Sequence, residues 1–385
     1  MRRDVAIVLS GGGMNGVLME LGFLQRVRAS ALWPRVGWIF GTSAGALAGS
    51  LAALDRLDDL ERFLLRLQPD EAFRPNRLWR LPFLGLHEYA LPATIAEHFG
   101  DLEALARELR EAPVELVVCA TDATPSEDTH DVRDYELVYS ARTTPPAEMA
   151  QAVLASAAIS ALVLPLPVGR RIATDGAWVR NYPLAHAYRR PGVRQIVAFR
   201  YVPRYPAIGA GALRRLRERL ERFARVPPIR AFVAELRAAE ERDARGEPAH
   251  LPEMIMRLTR AAIVRNTVVE ERTADEVDES IEELRRLRKD IDALIVATVR
   301  SKRDRQRLAA AVHNRFDTAR FPFRHYRAVP RVTVRGSATE VSLDPGFREQ
   351  QPWTTDAKRV LIARGYQLAD AELRAAGWNE LSAAG

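Results

Sequence analysis

Apolar and polar positions follow two regimes along this chain. From Asp4 to Tyr201, short unbroken apolar runs alternate with longer segments of helical pattern. The spacing predicts buried strands at Asp4–Leu9, Val36–Phe40, Val114–Ala120 and Gln195–Tyr201, with shorter ones at Glu136–Tyr139 and Arg171–Thr174. Helices are predicted at Val17–Val27, Ala44–Leu54 and Pro146–Ala158, and a polar turn region at Thr124–Asp134. Continuous rather than alternating strand runs, separated by helices, argue an α/β fold whose parallel sheet is covered by helices on both faces. Gln195–Tyr201 is expected to be the last strand of that unit.

After Pro203 the pattern becomes helical and charged. Leu213–Val226, Pro228–Ala244, Leu251–Thr273 and Ala274–Ala311 are predicted as helices, interrupted at Pro227-Pro228 and Gly246-Glu247-Pro248. Val329–Leu343 then alternates as a strand would, and Asp356–Ala376 reads as a final helix. The expected organisation is a catalytic unit over residues 1–205, a helical region over 206–328, and a strand-helix segment over 329–385 that packs back on the catalytic unit.

Two strand-to-helix junctions carry the candidate chemistry. Gly41-Thr42-Ser43-Ala44-Gly45 ends one strand and opens a small-residue helix, so a sharp turn would lift Ser43 out of the sheet as a nucleophile. Glycines on both sides suit that turn, although a small-residue junction that merely packs a helix on a sheet has the same composition. Ser10-Gly11-Gly12-Gly13-Met14-Asn15-Gly16 stands at the other junction. A glycine loop at a helix start exposes N–H groups, which suit a phosphate or the oxyanion of acyl transfer. Gly11, Gly13 and Gly16 also satisfy G-x-G-x-x-G. A dinucleotide site needs an acidic residue about 20 positions on, and none occurs between Glu20 and Asp55. Asp175-Gly176-Ala177 follows the Arg171–Thr174 run, where an ordinary turn would look the same.

In order and spacing, S-G-G-G-M-N-G at 10–16, G-T-S-A-G at 41–45 and D-G-A at 175–177 resemble the patatin-like phospholipase family, bacterial type. Val153–Ala158 and Asn181-Tyr182-Pro183 extend the likeness, which covers residues 4–200. The resemblance implies a patatin-like sandwich with a mostly helical C-terminal appendage. It further implies a catalytic Ser43–Asp175 dyad, an oxyanion hole from Gly11, Gly12 and Gly13, and structural roles for the motif glycines Gly16, Gly41, Gly45 and Gly176. The expected activity is serine acyl hydrolysis of phospholipid or lysophospholipid esters through an acyl-enzyme. Acyl transfer to another alcohol would use the same site, and a catalytically weak lipid- or membrane-binding regulator is the non-enzymatic alternative. Two positions depart from the family pattern: Asn15, where many members carry Arg or Lys, and Ser160, where many carry proline. Loss of a cation at Asn15 is expected to weaken binding of a phosphate-bearing head group.

A buried aspartate hydrogen-bonded to the serine is a competent base, because burial raises its pKa and contact supplies geometry. A conventional triad competes, since Ser43, Asp175 and His186 occur in the chain order of α/β-hydrolases. The remaining histidines, at 87, 98, 130, 250, 313 and 325, have no motif around them. No cofactor is implied, no metal-ligand spacing stands out, and calcium is not required by this chemistry.

Composition narrows the partners. The net charge is +7, and only Lys289, Lys302 and Lys358 are lysines, so arginine carries the positive charge. Basic residues interleave with acidic ones at helical spacing, the mark of a solvated face rather than of a nucleic-acid site, while the excess favours contact with an anionic membrane surface. Phe73–Leu91, with Arg74, Arg77, Trp79 and Arg80, mixes aromatic and cationic residues as a loop touching lipid would. No apolar run reaches the roughly 18 residues of a membrane span. The early start of the first strand argues against a secretory signal, so a cytoplasmic protein, peripheral to the membrane at most, is expected. Cys119 lies in an apolar run and reads as a core thiol. Nothing in the sequence speaks to oligomeric state.

Overall fold

Val5–Leu9 (β1) is buried at every position, as a strand with helices on both faces must be. It lies between Val36–Thr42 (β2) and Gln195–Tyr201 (β9), parallel to both. In this computed structural model the described residues are 2–76, 87–124, 131–159, 162–202, 214, 217–218, 220–245, 251–318, 329–337, 341–343 and 352–378. Arg77, Trp79, Arg80, most of the Thr124–Asp134 turn, Ser160, the start of the Leu213–Val226 segment, the Gly246-Glu247-Pro248 break, and the histidines at 130, 250 and 325 lie outside them.

Ten strands are described in two sheets. Besides β1, β2 and β9 they are Phe73–Pro75 (β3), His87–Tyr89 (β4), Glu115–Asp122 (β5), Glu136–Ser140 (β6), Leu166–Val168 (β7), Arg171–Asp175 (β8) and Arg331–Gly336 (β10). The eight-stranded sheet runs β10-β9-β1-β2-β5-β8-β7, with β6 also on β5, and β3 pairs with β4 separately. The half from β10 to β5 is parallel. At the other edge β6 and β8 run antiparallel to β5, and β7 antiparallel to β8. Only two residues, 169 and 170, separate β7 from β8, a connection that suits a hairpin and cannot hold a crossover helix.

Strand period 2 divides the interior in two. Val5, Ile7 and Leu9 of β1 join the larger core, under Gly13–Arg28 (α1), Ala44–Ala53 (α2) and Leu57–Arg66 (α3). Ala6 and Val8 face the opposite core, with Tyr182, Leu184 and Tyr188. The sheet does not end at β9: β10 continues it in parallel register, Val332 opposite Val197 and Val334 opposite Phe199. The helix Thr355–Ala375 then lies against α1. Gly22 and Gly365 permit that approach, since a Cβ on Gly22 would run into the Ile362 carbonyl and one on Gly365 into that of Met19. A 2.7 Å ion pair between buried Arg26 and Asp370 fastens the two helices.

The helical region corrects one expectation. Leu251–Thr298 is a single 48-residue helix with no break at Thr273, because its one proline, Pro252, sits at the start where the missing N–H costs no bond. The break comes instead at residues 299–301, where Ser301 Oγ accepts the Asp304 N–H that opens Lys302–Thr318. Near its middle the long helix is bonded to the sheet unit. Thr267 meets Asn181, Glu270 meets Arg180 and the Ala185 N–H, Glu271 meets Arg200 and Arg335, and Asp278 accepts from the Tyr188 hydroxyl. Among the described residues, no helix is long and apolar enough to cross a membrane.

Candidate active site

The turn after β2 places Ser43 at the N-cap of α2 with φ 55° and ψ −121°. A non-glycine residue holds such a conformation only where its surroundings enforce it. Here they do. A Cβ on Gly41 would strike the Gly45 carbonyl, and one on Gly45 would strike Leu9, so the strand, the turn and the helix meet with no room for side chains. The Ser43 N–H is held by Ser156 Oγ at 2.8 Å, and that hydroxyl donates in turn to the Cys119 carbonyl at 2.7 Å.

Asp175 ends β8 beside this turn. Ser43 Oγ donates to Asp175 Oδ2 at 2.7 Å, and Asp175 Oδ1 accepts the Ala177 N–H at 2.8 Å. Both side chains are nearly inaccessible, Ser43 at 5% and Asp175 at 4% exposure. Burial raises the Asp175 pKa to about 6, with the Ala177 and Ser43 hydrogen bonds pulling the other way. A carboxylate at that value accepts a proton near neutrality far more readily than an ordinary aspartate. Gly176 packs on the Cys119 carbonyl, where no Cβ fits.

The glycine loop divides its donors. The Gly11 N–H is committed to the Asn181 carbonyl at 3.0 Å, so this member of the expected oxyanion set is already engaged. Gly13, with φ 60°, opens α1 and borders the same cavity as Ser43. Gly12 and Gly13 are left as the loop's uncommitted donors among the described residues. Gly16 gives its N–H to the Gly12 carbonyl at 2.8 Å and closes the turn.

Ser43 faces a cavity of about 1050 Å³, open solvent included, between α1, α2, α3 and the helices Leu91–Phe99, Leu102–Glu111 and Pro146–Ser156. Among the described residues its walls carry no charged side chain. Only an apolar group gains by entering such a space.

His186 is brought elsewhere. Its Nε2 lies 2.7 Å from Glu136 Oε1, and Arg180 pairs with the same carboxylate. Burial pushes Glu136 up, but the hydrogen bonds from His186 and Arg180 outweigh it and hold the carboxyl down at about 2. Cys119, Glu136 and His186 have ligand atoms within 4.8 Å of one another and could in principle hold a metal. Arg180 already fills the carboxylate, and burial pushes the Cys119 thiol up, away from the thiolate a metal needs. Asn15 is fully buried and bonds to Ser342 and Leu343. Sequence reasoning missed this contact, the Thr267 hydroxyl under Asn181 and the Ser156 brace, although Ser156 lies inside the Val153–Ala158 stretch already singled out.

Fold and site together define an α/β protein with a serine at a strand-to-helix elbow, an aspartate on its hydroxyl and a glycine loop beside it. The model of the patatin-like phospholipase family, whose members are lipid acyl hydrolases, matches residues 7–188 of this chain. Among solved structures, VipD from Legionella pneumophila aligns over 97% of this chain and 67% of its own, at 15% identity and a TM-score of 0.40. No curated protein matched the chain.

Proposed function

We propose that this protein is a serine acyl hydrolase acting on fatty-acyl esters of phospholipids or lysophospholipids. The observation that carries the reading is the 2.7 Å bond from Ser43 Oγ to Asp175 Oδ2 beside a cavity lined by apolar walls. In the proposed sequence the acyl chain enters the cavity and Ser43 Oγ attacks the ester carbonyl. Asp175 takes the hydroxyl proton, and the N–H groups of Gly12 and Gly13 receive the oxyanion. The proton passes from Asp175 to the leaving alcohol, and a water deprotonated by Asp175 then releases the fatty acid and restores Ser43. Arrival of substrate from an anionic membrane surface is part of the same reading, supported by the net charge of +7.

A fluorophosphonate probe tests the assignment directly. The wild-type protein is expected to be labelled at Ser43, as located by peptide mass spectrometry, and to hydrolyse a short p-nitrophenyl ester. Labelling at another serine, or undiminished turnover in Ser43→Ala, would overturn it.

A further inference from the structure

Asn15 occupies the glycine loop, and its side chain bonds to a segment far along the chain. Nδ2 donates to Ser342 Oγ at 3.0 Å and Oδ1 accepts the Leu343 N–H at 2.8 Å. A backbone N–H can only donate, so this second bond fixes which way the amide faces. Leu343 is fully buried, and its carbonyl accepts the Trp353 indole N–H at 2.8 Å. Trp353 in turn forms part of the wall of the cavity that Ser43 faces. Lys358 lies over its ring, with Nζ 5.9 Å from the ring centroid and donating to the Leu65 and Leu67 carbonyls at 3.0 and 2.5 Å. Leu64 and Leu67, at the end of α3, border the same cavity. One chain of contacts thus runs from the glycine loop, through Ser342 and Leu343, to an aromatic wall that lies outside the family-matched residues 7–188.

We propose that Asn15 is a positioning residue for the acyl cavity: it docks Ser342 and Leu343 on the glycine loop so that Trp353 limits the length of acyl chain accepted beside Ser43. The idea rests on the hydrolase reading for its substrate, but the cavity itself can be tested without chemistry. An indole is bulky and rigid, and its removal opens space that only a longer chain can use. Loss of the Asn15 amide frees the same wall less completely. The two changes act on one element, so their effects do not add.

The test measures two profiles on the full chain. The first is kcat/KM over p-nitrophenyl esters from butyrate to palmitate, for wild type, Trp353→Ala, Asn15→Ala, Ser342→Ala and the Asn15→Ala/Trp353→Ala pair. The second is binding of the matching free fatty acids to Ser43→Ala proteins carrying the same changes, read by displacement of a fluorescent fatty acid. Trp353→Ala is expected to raise the long-to-short ratio about tenfold in both profiles. Asn15→Ala should shift it the same way by less, and the pair should go no further than Trp353→Ala alone. Should Asn15→Ala not fold, Ser342→Ala, which removes one bond of the clamp, and Trp353→Ala still decide the matter. Ratios within twofold of wild type in these variants would overturn the proposal while leaving the hydrolase reading intact. A shift in the binding profile with no turnover by the wild type would sink the hydrolase reading and keep the cavity wall.

Discussion

Asn181 Nδ2 donates to Thr267 Oγ1 across 2.7 Å, joining the residue whose carbonyl holds Gly11 to a helix outside the family-matched region. Both side chains are 1% exposed, so nothing but protein can replace that bond. Thr267→Val keeps the shape and deletes the acceptor. The stranded amide should lower stability by about 1–3 kcal/mol, and kcat should fall about tenfold as the glycine loop loses its fixed partner. Urea unfolding and ester kinetics on the same preparation check both. A stability loss with unchanged kcat would show that the long helix supports the fold without reaching the site.

The dyad and triad models part at His186. With its ring nitrogen on Glu136, His186→Ala should keep kcat/KM within about threefold of wild type, whereas Asp175→Asn should lose about as much as Ser43→Ala, a thousandfold or more, because members of a unit fail together. A collapse of the rate in His186→Ala with a normal circular dichroism spectrum would restore the histidine to the mechanism.

The elbow was legible because local physics fixes it. An unbroken apolar run, flanking glycines and a small-residue helix need no distant partner to be recognised, and the same holds for the strands β1, β2, β5 and β9. Leu166–Val168 escaped notice because three residues around Pro167 show no period. The Thr273 break was misplaced because charge density imitates a boundary where only glycine or proline would make one. Above all, the sequence around Asn15 shows the charge it lacks but not the bonds it makes. Its partners Ser342 and Leu343 stand more than 300 positions away, and no local pattern announces a bond at that separation. The engagement of the Gly11 N–H by Asn181 was hidden for the same reason.

The pH dependence of the reaction follows from the burial of Asp175. In the proposed mechanism the group must be ionised to accept the Ser43 proton, and burial raises its pKa to about 6. Therefore kcat/KM should rise with pH along a limb with its midpoint at about 6 and level off above it. A soluble short-chain ester avoids interfacial effects in this measurement. A midpoint at about 4, the value of an exposed aspartate, would show that the carboxyl is not desolvated in the working protein.

Asp175 should also make the site a source of instability. Its folded pKa, about 6, lies above the unfolded value of about 4, so the folded state holds the proton more tightly. The stabilisation from that proton is complete below about pH 4, is lost as pH rises through about 6, and is absent beyond. A shift of this size amounts to roughly 3 kcal/mol at alkaline pH. Asp175→Asn cannot ionise, and its amide can still accept the Ala177 N–H while its NH₂ group turns to Ser43 Oγ. The inactive variant should therefore melt higher than wild type at pH 8, with the gap shrinking toward pH 4. Comparing the two proteins at each pH cancels every other titrating group. Scanning calorimetry that found the same gap at both values would mean that the ionised carboxylate is stabilised by its surroundings, and the burial account of its basicity would fall with it.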